Sequence, residues 1–187
     1  MIEQIIQLDK TAFIAINNGL SNSFFDWLCP ILRNQSTWYL LYVVFIYFII
    51  KLYKKASWKI LLGIALMILC SDQFSVFVKN TFERLRPCHD LIMRQNLHLL
   101  VNSCGGKYGF ISSHATNHFA IAVFVSFFLK SYSRILLPVL IFWAFSISFS
   151  QVYVGVHYPL DVLVGAVIGS LFGFVFSKYT NKYIHIE

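Results

Sequence analysis

His157 and Asp161 stand four residues apart at the end of S-Q-V-Y-V-G-V-H-Y-P-L-D, residues 150–161. Pro159 suits the first turn of a helix, which puts Asp161 in that turn, where the dipole favours a carboxylate. A carboxylate beside one imidazole nitrogen sets the tautomer and leaves the other nitrogen free to attack. Taken alone, the pair fits a polar helix cap better than a nucleophile. A second island, G-F-I-S-S-H at 109–114, offers Ser112 or Ser113 as a helix cap. The unpaired N–H groups of such a helix start bind phosphate oxygens. His114 could then serve as general acid, because imidazole titrates near neutrality. The third island, K-N-T-F-E-R-L-R-P at 79–87, carries Lys79, Arg84 and Arg86. Guanidinium forks match phosphate oxygens, and an ammonium adds a point charge. Two histidines, a carboxylate, two hydroxyls and several cations are the inventory of a phosphoryl-transfer site.

The elements that must position these islands are mostly apolar. Five candidate spans are bounded by charge: 35–50, 60–78, 113–129, 135–156 and 160–177. Several lie near the lower limit for crossing a bilayer, about 17–25 residues. Residues 1–33 contain no full span. Their apolar residues alternate with polar ones, and Asn17-Asn18-Gly19 interrupts them, which predicts one or two interfacial helices. A sixth, tilted insertion there is the alternative. The expected fold is therefore an all-α polytopic membrane bundle, with five transmembrane helices plus N-terminal interfacial helices. The whole chain, 1–187, reads as one domain without repeat or linker.

Composition agrees with a membrane protein. Hydrophobic residues make up 58% of the chain and charged residues 12%, against roughly 25% charged in a soluble domain. The start, MIEQIIQLDK, lacks the basic region, apolar core and cleavage site of a removable leader. A net charge of +7 could suggest nucleic acid, but the basic residues are split among short loops and form no stripe. They follow the positive-inside rule instead. One set of loops holds Lys51, Lys54, Lys55, Lys59, Lys130, Arg134, Lys178 and Lys182, with no acid but Glu187. The three polar islands fall on the opposite, non-cytoplasmic side. Cations on that side need a reason, and a phosphate ligand supplies one.

Other residues carry weaker signals. Asp72 interrupts an apolar span, where a charge suggests a paired or functional role. It shares a helix face with Lys79 and is expected to be a structural partner of the basic cluster. His114 and His118 have a zinc-compatible spacing, but no H-E-x-x-H is present. His89, His98 and His185 read as ordinary loop or tail residues. Cys70 reads as inert core. Cys88 and Cys104 share one polar loop. If that loop faces an oxidising space, a bridge there would contribute about 3 kcal/mol in the chain-entropy model; two free thiols are the alternative.

Together the islands resemble the three-part signature of the type 2 phosphatidic acid phosphatase family, the membrane branch of the vanadium haloperoxidase superfamily. That pattern reads K-x6-R-P, P-S-G-H and S-R-x5-H-x3-D. Lys79, Arg86 and Pro87 match the first part. Ser112 and His114 match the second, with Ile111 for Pro and Ser113 for Gly. Ser150, His157 and Asp161 match the third. The resemblance covers about 58–177 and implies a helical membrane bundle, usually of six helices. It implies His157 as nucleophile, Asp161 as its orienting group and His114 as acid to the leaving group. Lys79, Arg86, Ser112 and Ser113 would hold the phosphate oxygens. No metal or other cofactor is implied. One departure matters: Gln151 stands where the family has a phosphate-binding Arg. An amide donates a hydrogen bond but no charge, and Arg84 or Lys107 is expected to compensate, unless activity is narrowed or lost.

The expected function is metal-independent hydrolysis of a phosphate monoester or diphosphate on a membrane lipid, through a phosphohistidine. Candidate substrates are a polyprenyl diphosphate, phosphatidylglycerol phosphate, phosphatidic acid or a lipid A phosphate. The expected location is a bacterial cytoplasmic membrane with the site facing the periplasm or exterior. The bilayer and its lipid phosphates are the expected partners, and oligomeric state is not readable. A non-catalytic lipid-phosphate binder or transporter, a lipid phosphotransferase and a zinc hydrolase using His114 and His118 remain as alternatives.

Overall fold

A computed structural model describes residues 2–184, and these residues are helical throughout apart from loops. The expectations for His185 and Glu187 lie outside the described residues. Seven α-helices follow in order: α1 (Ile2–Asn17), α2 (Ser23–Arg33), α3 (Tyr39–Tyr53), α4 (Ser57–Phe82), α5 (Ser113–Leu129), α6 (Leu136–Tyr153) and α7 (Pro159–Ile184). Short 3-10 turns join α2 to α3 and α3 to α4. Among the described residues, three stretches are long and apolar enough to cross a membrane: Gln35–Phe82, Leu136–Tyr153 and Pro159–Ile184. α5 is apolar but shorter.

α5 is the axis of the bundle. Eleven of its residues are buried, including Phe119, Phe124 and Phe128, and it packs against α4, α6 and α7. A helix apolar on all sides must be covered on all sides. Its closest neighbour is α7, whose Gly165, Gly169 and Gly173 face the backbone of Ser112, Thr116 and Ala120. A Cβ at any of the three would collide with a carbonyl of α5. Between membrane helices, packing rather than water exclusion drives association, and small residues four apart permit it. This stripe seats the starts of α5 and α7 side by side, and both starts carry site residues.

The helices alternate in direction. Lys79 near the end of α4 meets Ser113 at the start of α5, whereas the Tyr53 hydroxyl at the end of α3 donates to the Phe128 carbonyl at the other end. Lys130 and Lys178 gather over Phe127 at that far end, opposite His157.

The N-terminal segment departs from expectation in part. α1 and α2 exist, but α2 does not lie flat across the bundle. Asn22 meets Tyr153, Phe25 packs on Phe149 and Tyr153, and Trp38 meets Trp143. Successive contacts therefore descend α6, and α2 leads into α3 as one bent arm. α1 presents Ile2, Ile5, Ile6 and Leu8 outward and buries Asp9, Phe13 and Asn17. Asn17 donates to the carbonyls of His98 and Tyr153, at 2.8 and 2.7 Å, which pins α1 over the loop.

That loop, 83–112, is closed by a disulfide between Cys88 and Cys104, with Cα atoms 6.5 Å apart. Cys29 and Cys70 are free. Cys88→Ser should lower stability by about 3 kcal/mol if the loop-closure account holds, read as a lower melting temperature in detergent. Alkylation under denaturing conditions should label two thiols without reductant and four with it. Four labels in both cases would refute the bridge.

Candidate active site

The loop places its arginines by a short two-stranded pairing. The Arg86 N–H donates to the Lys107 carbonyl at 3.2 Å, and the Gly109 N–H to the Arg84 carbonyl at 2.8 Å. In extended backbone, alternate residues share a face. Arg84 and Arg86 therefore turn inward together, while Leu85 turns out. Arg86 is braced by the carbonyls of Tyr108 and Cys104, at 3.2 and 2.6 Å.

The start of α7 supplies the central pair. His157 and Asp161 are almost fully buried. Nδ1 of His157 lies 3.4 Å from Oδ2 of Asp161, and Oδ2 also accepts the Tyr158 N–H at 3.0 Å. An ionised carboxylate only accepts, so the ring proton is assigned to Nδ1. Nε2 makes no hydrogen bond among the described residues. Burial holds the His157 imidazole below its ordinary pKa, although Asp161 pulls the other way. A neutral imidazole with a free Nε2 is a nucleophile in its reactive form.

The start of α5 supplies the second histidine. Ser112 caps the helix, its hydroxyl accepting the Ala115 N–H at 3.5 Å. Its own N–H donates to the Asp161 carbonyl at 3.0 Å, tying the two helix starts together. The first amides of α5 have no intrahelical acceptor. Lys79 reaches from α4 to the Ser113 hydroxyl. His114 is half-buried, and its ring nitrogens make no hydrogen bond among the described residues.

Gly109 shows how tightly the islands converge. A Cβ there would lie 2.9 Å from Oδ2 of Asp161, 3.2 Å from Cγ of Arg86 and 3.5 Å from Nδ1 of His157. His157, Asp161, His114, Lys79, Arg86, Ser112 and Ser113 thus meet at one end of the bundle. Gln151 is there too, its carbonyl accepting the His157 N–H at 3.2 Å. Its side-chain amide is buried, and neither the nitrogen nor the oxygen has a partner.

Several expectations need correction. Arg84 does not stand in for the missing arginine. One arm of its guanidinium donates to Oδ1 of Asp161 at 2.8 Å, the other binds Asp9, and the group lies over the Tyr158 ring. Lys107 is exposed, its ammonium near the Tyr108 ring. Asp72 accepts from Asn117 at 3.4 Å and makes no hydrogen bond to the basic cluster, but it acts on Lys79 electrostatically, as their shared helix face implied. The His114–His118 zinc reading does not fit. Nδ1 of His118 bonds the His114 carbonyl at 2.7 Å, and Nε2 meets the Tyr42 hydroxyl at 3.0 Å, so neither nitrogen is spare. The Cys88, His89 and Cys104 cluster has its sulfurs joined to each other.

Comparison with known proteins decides the family. Residues 56–184 match the PAP2 superfamily. The chain belongs to the PAP2 superfamily. Two curated relatives, each called a lipid A 4'-phosphatase, span nearly all of it. The one from Bacteroides thetaiotaomicron is 33% identical over 97% of this chain and 81% of its own length. The one from Porphyromonas gingivalis is 30% identical over 95% and 75%. Aquifex aeolicus LpxE superposes with a TM-score of 0.72 at 26% identity, covering 92% of this chain and 96% of its own. A Bacillus subtilis phosphatidylglycerolphosphate phosphatase shares the fold, with a TM-score of 0.76 at 20% identity, over 98% and 90%. This PAP2 protein is an integral membrane enzyme that hydrolyses lipid phosphate.

In this PAP2 phosphatase, the sequence reading missed Asp9. Asp9 binds Arg84, and its other oxygen accepts the Leu160 N–H at 2.8 Å. Burial pushes its carboxyl pKa up, against the pull of Arg84 and that N–H. Nothing local marks it, because Arg84 is 75 residues away. Asp9→Asn should lower the melting temperature, by roughly 1–3 kcal/mol of stability. It should also lower kcat about tenfold with little change in KM, because Asp161 loses its brace. Unchanged kcat in a folded variant would make the contact purely structural.

Proposed function

We propose that this PAP2 phosphatase removes a phosphate group from a lipid A-type glycolipid at the non-cytoplasmic face, through a phosphohistidine on His157. The two lipid A 4'-phosphatase relatives, matched over nearly the whole chain, carry the substrate class. The buried His157–Asp161 pair beside Arg86 and Lys79 supports the mechanism. Nε2 of His157 attacks phosphorus as the lipid P–O bond breaks, and His114 protonates the departing oxygen. Water then attacks the phosphohistidine, the N–P bond breaks, and His114 takes the water proton. Lys79, Arg86 and the first amides of α5 stabilise the charge spread over the non-bridging oxygens.

We read five crossings, formed by α2–α3 as one arm and then α4, α5, α6 and α7, and the orientation rests on that reading. They put the loop lysines at the end opposite His157, which the positive-inside rule assigns to the cytoplasm. A cavity of about 270 Å³ lies between α3, α4 and α5, lined by Tyr42, Phe45, Ile64, Ile68, Ile121 and His118 among others. It begins one helical turn below His114 and suits an acyl chain.

The test is phosphate release by the purified protein in detergent with EDTA present. The panel would hold lipid A, phosphatidic acid, phosphatidylglycerol phosphate and a polyprenyl diphosphate. Release from lipid A that survives EDTA, with the other lipids slower, is expected. Preference for another lipid would overturn the substrate, and loss in EDTA would overturn the mechanism.

A further inference from the structure

Arg33 is a part-buried cation that neither the family signature nor the topology accounts for. It ends α2, away from the basic loops at the far end of the bundle. Its Nε is buried with no hydrogen-bond partner, and its guanidinium forms no hydrogen bond or ion pair among the described residues. The other cations of the site are braced by acceptors: Lys79 by Ser113, Arg86 by two carbonyls, Arg84 by two carboxylates. A part-buried guanidinium whose Nε has no acceptor is costly unless an anion completes it.

The fold aims Arg33 at the site. Cys29, one turn earlier on the same face of α2, is buried against Ser150, the neighbour of Gln151. Side chains on a helix lean toward its N-terminus, and the N-terminus of α2 is at the His157 end, where Asn22 meets Tyr153. The Arg33 stem therefore rises along Cys29 toward Gln151. Its guanidinium comes close enough to His114 and to Arg86 to act on both electrostatically. Gln151, next in sequence to Ser150, carries a second unsatisfied donor, its buried amide.

We propose that Arg33 is a third cation of the phosphate site, holding a non-bridging oxygen of the substrate phosphate beside Lys79 and Arg86. It supplies from α2 the charge that Gln151 does not supply from α6. The charge balance agrees. Asp161 and Asp9 are offset in part by Arg84, which leaves Lys79, Arg86 and Arg33 to face a phosphate dianion. The alternative is an arginine that only complements the C-terminal dipole of α2.

This inference rests on the phosphatase reading, and the experiment separates the two. Inorganic phosphate is the probe, read as inhibition of lipid phosphate release and as protection against thermal unfolding of the full chain in detergent. Arg33→Gln should weaken phosphate binding by both readouts, and lower kcat/KM, by roughly 10- to 100-fold, the range for a lost charge-assisted hydrogen bond. Without phosphate, its melting temperature should hold or rise, because a part-buried charge without a partner has been removed. A dipole role predicts the reverse: a lower melting temperature and phosphate binding within twofold of the parent, and that result overturns the proposal. If Arg33→Gln does not fold, Arg33→Met keeps the apolar stem and is read the same way. Arg33-dependent phosphate binding by a parent protein that hydrolyses none of the lipids would support the cation and overturn the phosphatase reading.

Discussion

His157→Ala should abolish phosphate release, with a loss of at least about 10⁴-fold in kcat, the scale seen when a covalent nucleophile is removed. The variant should still bind inorganic phosphate, because Lys79 and Arg86 are held by Ser113 and by loop carbonyls rather than by His157. The parent protein, quenched during turnover, should carry a phosphoryl group that is acid-labile and base-stable, absent from the variant. Persistence of that group in His157→Ala would move the nucleophile elsewhere. The pH dependence follows from burial. The His157 pKa lies below its ordinary value because burial disfavours the imidazolium. The reactive neutral form therefore persists as pH falls through the usual imidazole range near 6.5. The acid limb of kcat/KM should lie below that range, once the second ionisation of the substrate phosphate is allowed for. A limb above it would mean that Asp161 outweighs burial in solution.

His114→Ala should cost about 10²–10⁴-fold on a lipid phosphate, the usual worth of a positioned proton donor. The size of the loss depends on the leaving group, which makes this variant diagnostic. A sugar or glycerol oxygen leaves poorly without a proton, whereas an aryl oxygen such as that of p-nitrophenyl phosphate leaves readily as the anion. The loss should thus shrink to a few-fold on the aryl ester. An equal loss on both esters would assign His114 to phosphate binding instead. The geometry fits either role. His114 is half-buried, its ring nitrogens are unpaired among the described residues, and its carbonyl is fixed by the His118 ring at 2.7 Å. His118 therefore orients the first turn of α5, which accounts for its spacing of four from His114 without a metal.

The short-range features were legible from residue order alone. His157 and Asp161 sit in contact because Asp161, in the first turn of α7, reaches back over the helix start to the Tyr158 N–H and the His157 ring. The apolar runs bounded by charge marked α3 to α7 within about four residues, except that α7 runs on from 177 to Ile184. The positive-inside count placed the three islands at one end, and the atomic arrangement has them together there. The bridge between Cys88 and Cys104 was one of two open readings, since loop proximity alone does not orient two thiols.

Only tertiary structure decided the rest, because those contacts join residues far apart in the chain. Asp9 and Arg84 meet across 75 residues, with no local pattern to announce them. The same contact removed Arg84 from the phosphate, a commitment that a count of cations could not reveal. The glycine stripe of α7 was visible as spacing but gained meaning only against the carbonyls of α5. α2 read as interfacial because its polar residues break every hydrophobic window. In the bundle those residues find partners: Asp26 accepts from Tyr153 and meets His98. Arg33 remains without one. Sequence determined which residues could handle a phosphate and at which end of the bundle they would gather. The fold decided which cations are already neutralised by carboxylates and which stay open to an anion, because pairing depends on distance in space and not on distance along the chain.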